Sequence, residues 1–296
     1  MNLAFFWVYF FMKIRIAVLS AALMVQGCVQ TIAIRSMSGI MDNGFRAYFR
    51  ESDLDFAREG MAGNLKLLEA LVDGDPDNEH LLLLASQGYG SYALAFAEDD
   101  SVERARVFYL RGRDYGLRIL MHNQCLNDAL GKDLKSFEDA LAGLSREDVP
   151  GVFWTAFSWG GYINISRSDL EAMADLSKVL AMMQFVARMD PGYYYGGAHL
   201  FLGAINGSIP PMLGGKPDLA KEHFEKALGL NGGAFLMTYI YYAKTYAVQM
   251  QDQELFESLL KKVADASIDI LPEARLPNAV AKKKAVRLRL HTAEFF

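Results

Sequence analysis

Apolar residues recur at helical spacing along most of the chain. Between residues 53 and 72 they fall at Leu54, Phe56, Met61, Leu65, Leu68 and Leu71, the stripe of one helix face. The stripe ends at Asp73-Gly74-Asp75-Pro76, a turn signal. A second helix is predicted over 79–97 and stops at Glu98-Asp99-Asp100. Ser101 is then placed to cap a third, over 102–121. The rhythm returns downstream with helices at 152–165 and 169–189, closed by Asp190-Pro191. It continues at 193–206 and 218–230, then at 234–250 and 252–266. Runs of β-branched residues are few, so the expected fold class is all-α.

These helices carry a degenerate repeat. The tetratricopeptide pattern pairs a first helix bearing Leu-Gly and Tyr with a second bearing Ala-x3-Phe. Small residues let two antiparallel helices approach, and large ones fill the gap to the next pair. Leu202-Gly203 fits the first helix, and Ala220-x3-Phe224-x2-Ala227 fits the second. Ala105-x3-Tyr109-x2-Gly112, preceded by Ser86-x2-Tyr89, repeats the signature. Ala243-x2-Tyr246 and Trp154-x2-Phe157-Ser158 mark two more first helices. The loop SIPPMLGGKP makes the spacing longer than the regular repeat. The expected architecture is a compact solenoid of tetratricopeptide-like helix pairs with extra helices. An irregular all-α bundle is the alternative.

The first residues follow different rules. Lys13 and Arg15 precede the apolar run Ile16 to Val25, and Val25-Gln26-Gly27-Cys28 follows. A short basic region, an apolar stretch and a small residue describe an export signal. The run is too short to span a bilayer, which needs about 20 residues. The Met-Lys-Ile-Arg start at Met12 points to translation beginning there. Val25 to Cys28 resembles the lipobox of bacterial lipoproteins, with Gln26 a departure from the usual small residue. Residues 1–27 are therefore expected to be a signal peptide. Residues 28–296 are expected to form one helical-repeat domain, lipid-anchored through Cys28. Secretion with cleavage nearby is the plainer alternative, and it leaves Cys28 without a purpose. The other cysteine, Cys125, is expected to be a lone thiol buried in a helix.

Composition narrows the partners. The chain has 30 Lys+Arg against 35 Asp+Glu, a net charge of −5. The export segment holds only cations, so the remainder is more acidic still. That balance argues against nucleic acid. The five histidines form no zinc signature, and no nucleophile elbow is present. Neither an enzyme activity nor a cofactor is expected. Gly214-Gly215-Lys216 has part of a phosphate-loop pattern, but Pro210 and Pro217 stand where Gly and Ser/Thr belong. The segment reads as a turn into a helix, with Asp218, Glu222 and His223 at a capped, solvated start. Tyr193, Tyr194 and Tyr195 on one helix point in different directions, so some can line a concave surface with His199. KKKAVRLR at 282–289 reads as the solvated face of a terminal capping helix, or as a contact for an acidic partner or lipid.

Two stretches, DPGYYYGGAHLFLGAING and PPMLGGKPDLAKEHFEKAL, together resemble the T component of TRAP transporters, the tetratricopeptide-repeat-associated TatT lipoproteins. The resemblance implies an all-α homotrimer enclosing a pore or cleft. It also implies docking to the periplasmic solute-binding P subunit, on the periplasmic side of the bacterial cell envelope. No catalytic residue comes with it. The candidate contact residues are Tyr193, Tyr194, Tyr195, His199, Leu213, Gly214, Gly215 and Lys216. The alternative function is a carrier of a small hydrophobic ligand in an apolar cavity or pore.

Overall fold

The computed structural model describes residues 12–13, 34–35 and 37–296. Cys28 and nearly all of the expected export signal lie outside the described residues. Among the described residues all regular structure is helical. The chain opens with α1 (Ser38–Phe49), α2 (Leu54–Gly74), α3 (Glu79–Tyr92) and α4 (Val102–Leu120). Two short helices follow, α5 (Gln124–Ala129) and α6 (Leu134–Ala142). Then come α7 (Val149–Ile165), α8 (Leu170–Ala174), α9 (Leu176–Met189), α10 (Tyr193–Ser208) and α11 (Pro217–Asn231). The array ends with α12 (Met237–Tyr241), α13 (Gln253–Asp265), α14 (Arg275–Leu290) and α15 (Thr292–Phe295). None of these helices is long and apolar enough to cross a membrane.

Short polar side chains set most of the starts. Asp53, Asn78, Ser101, Asn123, Asp133 and Asp252 each accept a backbone N–H of the first turn. The start of α11 differs from expectation. Lys216 occupies its cap position without a side-chain bond, and Pro217 begins the helix. Asp218 acts instead on the positive end of the helix dipole.

The helices pack as antiparallel neighbours, and glycines bring them close. On the α4–α7 seam, a Cβ at Gly112 would lie 2.5 Å from Ser158 Oγ, and one at Gly116 would lie 2.9 Å from Thr155 Cα. On the α10–α11 seam, a Cβ at Gly203 would lie 3.1 Å from the Phe224 ring. Ala220, Phe224 and Ala227 are fully buried. Phe224 also stacks on Tyr242 at 4.6 Å, which ties this pair to the next. These are the contacts the Ala-x3-Phe pattern predicts.

Three expectations fail locally. Phe56 is 64% exposed, because Ala57 takes the inward position on α2. Cys125 is exposed, since α5 is a short surface helix that buries only Leu126 and Ala129. The basic segment of α14 is not simply a solvated face. Lys284 is buried and donates to Asp99 Oδ2 at 2.7 Å, across 185 positions of sequence. Arg287 Nη1 donates to Asp99 O at 2.7 Å. Helix α14 therefore packs against the segment that follows α3 and borders a deep space between the helices.

Candidate functional site

That space is a chamber of about 570 Å³, open to solvent on one side, lined mainly by the inner helices α3, α7, α10 and α12 and by parts of α1 and α14. Two hydrogen-bonded contacts show that α7 and α10 run side by side in the same direction. Trp154 Nε1 donates to Tyr193 Oη at 3.2 Å near their starts, and Arg167 Nη2 donates to Ser208 Oγ at 3.2 Å at their ends. The chamber is consequently polarised along its length.

The end near the helix starts is aromatic. Phe153, Phe157, Tyr194 and Phe235 line it, with Phe45, Tyr48 and Phe49 of α1. Tyr194 is the hub. Its ring lies 4.8 Å from Trp154, 5.6 Å from Phe153, 5.7 Å from Phe235 and 6.2 Å from Phe49. Burial raises its pKa, and no described residue hydrogen-bonds its hydroxyl.

That placement depends on unusual backbone. Tyr194, Tyr195 and Gly196 are consecutive left-handed residues, with φ of 45°, 60° and 78°. A left-handed tyrosine costs about 1–2 kcal/mol. Strain of this kind persists where surrounding packing over-determines it, and it clusters at functional sites. Here Asn231 Nδ2 donates to Tyr195 O at 3.0 Å. Gly196 lies so close to α11 that a Cβ would sit 3.2 Å from Ala227 Cα. The tyrosines therefore do not fan out on a regular helix, as expected from sequence; they sit on a reversed turn ahead of it.

The other end is polar. Asn164, Arg167, Ser208, Lys244, Thr245, Gln249, Glu98 and Asp99 line it. Two π-helical turns, Ala93–Ala97 and Tyr242–Ala247, lie here and extend α3 and α12. Single π turns are common at functional sites because the extra residue re-aims its neighbours. Lys244 reaches Glu98 at 3.8 Å, and the Tyr109 hydroxyl donates to Glu98 Oε2 at 2.7 Å. Burial and the Glu98 charge together raise the Tyr109 pKa.

The candidate residues from sequence divide into three groups. Tyr194 lines the chamber, Tyr193 braces Trp154 from behind, and Tyr195 stacks on Phe235 at 5.0 Å. His199 is buried against α11, where its Nδ1 lies 2.9 Å from Nδ1 of His223. Desolvation lowers the His199 pKa to about 4, with smaller downward contributions from His223 and Lys226. Leu213, Gly214, Gly215 and Lys216 form a separate loop beyond the far end of α10. Gly215 N donates to Pro210 O at 3.0 Å, which closes the loop on itself, and Met212 is 90% exposed. The tyrosines and the loop are thus at opposite ends of one helix. Sequence reasoning missed Arg167, Lys244 and both π turns. Among the described residues no group of three or more His, Cys, Asp or Glu is placed to hold a metal.

A protein of Treponema pallidum (strain Nichols), described as uncharacterized, is 22% identical over 267 residues, covering 85% of this chain and 83% of the relative. The family model of the TRAP transporter T-component matches residues 50–296, which include every helix lining the chamber except α1. The chain belongs to the TRAP transporter T-component family.

Proposed function

We propose that the protein is an envelope-side scaffold that docks the solute-binding P subunit of a TRAP-type uptake system. Family membership over residues 50–296 carries this reading. The Val25-Gln26-Gly27-Cys28 stop supports a lipid anchor on the periplasmic face, and the family resemblance supports a homotrimer. A tethered scaffold keeps a soluble binding protein near the membrane permease, so captured solute is delivered locally. The exposed loop around Met212 is the docking element we favour, because it projects from the helical body. Sedimentation of the acyl-free protein, alone and with the solute-binding protein encoded beside it, tests the reading. A trimer that forms a stable complex supports it. A monomer without a complex at tens of micromolar removes it.

A second reading has its own observation. The chamber has the size of a small-molecule site, mostly apolar with a few polar groups at one end. In this reading the protein holds or passes an apolar solute through its centre. Native mass spectrometry of protein purified without detergent, and organic extraction of the same sample, decide it. A stoichiometric hydrophobic passenger supports the reading. Its absence, together with no uptake of added alkyl probes, rules it out.

A further inference from the structure

The charges around the polar end of the chamber are not all paired with one another. Its lining carries Glu98, Asp99, Arg167 and Lys244. Asp99 is held by Lys284 at 2.7 Å, and Glu98 is shared between Tyr109 and Lys244. Among the described residues Arg167 has no carboxylate partner. Its hydrogen bonds go to two neutral oxygens, Asn164 Oδ1 at 2.6 Å and Ser208 Oγ at 3.2 Å.

Both bonds leave from the same nitrogen, Nη2. The Nε and Nη1 donors of the guanidinium make no hydrogen bond to the protein. A guanidinium offers donors in a planar fork that matches a carboxylate. Here Asn164 and Ser208 fix the fork from one side and leave the other side unsatisfied. Arg167 is exposed where it borders the chamber, so an anion reaches it from solvent, and what sets it apart from an unrestrained surface arginine is the orientation that Asn164 and Ser208 give its fork.

We propose that the chamber takes a single-chain amphiphile with an anionic head, a long-chain monocarboxylate, whose head is bound by Arg167 and whose tail lies toward Tyr194. This rests on the reading of the chamber as a ligand site. Between the two ends Phe153, Phe157, Leu200, Phe201, Ala204 and Ile205 give an apolar wall, which suits an alkyl chain. The helical stretch from Gly197 to Ser208 spans about 17 Å at about 1.5 Å per residue, the length of roughly a dozen carbons. A short dicarboxylate would leave the aromatic end empty. A long-chain amine would place a cation against Arg167.

The test uses the full chain carrying Cys28→Ser, so that no acyl group of the protein competes for the chamber. Isothermal titration compares dodecanoate, dodecanol and dodecylamine. Dodecanoate is expected to bind at least about tenfold more tightly than dodecanol, the equivalent of about 1.4 kcal/mol. Arg167→Gln is expected to erase that preference, bringing dodecanoate to no tighter than dodecanol. Arg167→Lys is expected to keep part of it, since charge survives without the planar fork. Equal binding of dodecanoate and dodecanol by the unsubstituted protein overturns the anion subsite and leaves the chamber reading standing. Tighter binding of dodecylamine overturns the subsite as well. Binding of none of the three overturns both. Ala204→Trp, which fills the middle of the chamber, is expected to abolish binding of dodecanoate and dodecanol alike. Binding that survives this change overturns the proposal by placing the amphiphile elsewhere.

Discussion

The two ends of α10 meet opposite demands. At its start, Tyr194, Tyr195 and Gly196 are bent into left-handed conformations and held by Asn231, Ala227 and a ring of aromatic neighbours. At its finish, the loop from Ile209 to Lys216 is closed by two backbone hydrogen bonds of its own, Gly214 N to Pro211 O and Gly215 N to Pro210 O, and leaves Met212 90% exposed. The first region stores strain because packing from several helices outweighs it. The second carries no such support and needs none. The difference separates two jobs that lie close in sequence. The start of α10 shapes the chamber, and the finish presents a surface outward.

The largest effect is expected from removing what holds the strained end. Phe224 is fully buried between α10 and α12 and anchors α11, from which Asn231 and Ala227 fix the left-handed turn. Phe224→Ala should cost about 3–5 kcal/mol and lower the Tm by roughly 10 °C. A calorimetric melt checks it, and a Tm like that of the unsubstituted protein would place Phe224 outside the core. Substituting the glycines then compares the two ends directly. Gly196→Ala adds a Cβ at φ +78° and 3.2 Å from Ala227 Cα, at about 1–3 kcal/mol. Gly214→Ala adds one at φ +90° into open space, so only backbone strain of about 1–2 kcal/mol remains. Denaturant titration of both should rank Gly196→Ala as the worse. The reverse order would mean that the loop, not the tyrosine turn, is the tightly determined region.

Much of the fold was legible in the sequence, and the chamber was not. Asp73-Gly74-Asp75-Pro76, Ser101 and Asp190-Pro191 act locally, so the helix boundaries they predict lie close to the observed ones. The Ala-x3-Phe pattern is also local, and Gly203, Ala220 and Phe224 meet as it requires. Periodicity shows which face of a helix is apolar. It does not show whether that face meets another helix or a void. Phe157, Phe201 and Ile205 lie within the predicted helices 152–165 and 193–206, and the structure places them around a chamber. Arg167, beside Ser168 and Asp169, reads as part of a surface turn. Its contact with Ser208, 41 positions away, exists only in the fold. The tyrosine turn was hidden for another reason. Tyr-Tyr-Tyr-Gly-Gly has no local signal for consecutive left-handed residues, which packing from α11 imposes. The TRAP T-component resemblance, by contrast, was carried by sequence stretches long enough to survive loop variation.

A pH titration addresses the middle of α10, between the two ends. His199 and His223 approach at Nδ1, and one ring must donate while the other accepts. That bond is lost when both are protonated. Desolvation lowers the pKa of each. For His223, Lys226 also lowers it, while Glu222 opposes the shift in both. The folded state thus binds protons less readily than the unfolded chain, whose histidines titrate near the ordinary 6.5. The stabilisation is fully present above that value and is lost as the pH falls toward about 4. An apparent Tm lower by about 3–6 °C at the acid end is expected. The double substitution His199→Gln, His223→Gln should flatten this slope. An unchanged slope would assign the acid sensitivity to other groups.

The smallest effect on stability is expected at the loop, together with the clearest effect on partnership. Met212 is 90% exposed and extends from a loop whose backbone is already closed by Gly214 and Gly215. Met212→Asp should therefore change stability by no more than about 0.5 kcal/mol. If the loop is where the solute-binding subunit docks, the same change places a charge in an apolar contact, and affinity should fall about tenfold or more. Sedimentation of the complex reads the second quantity, and a thermal melt of the protein alone reads the first. A stable protein with an unweakened complex would remove the loop from the interface. A destabilised one would show that the loop packs on the body, and the two ends of α10 would then differ in degree rather than in kind.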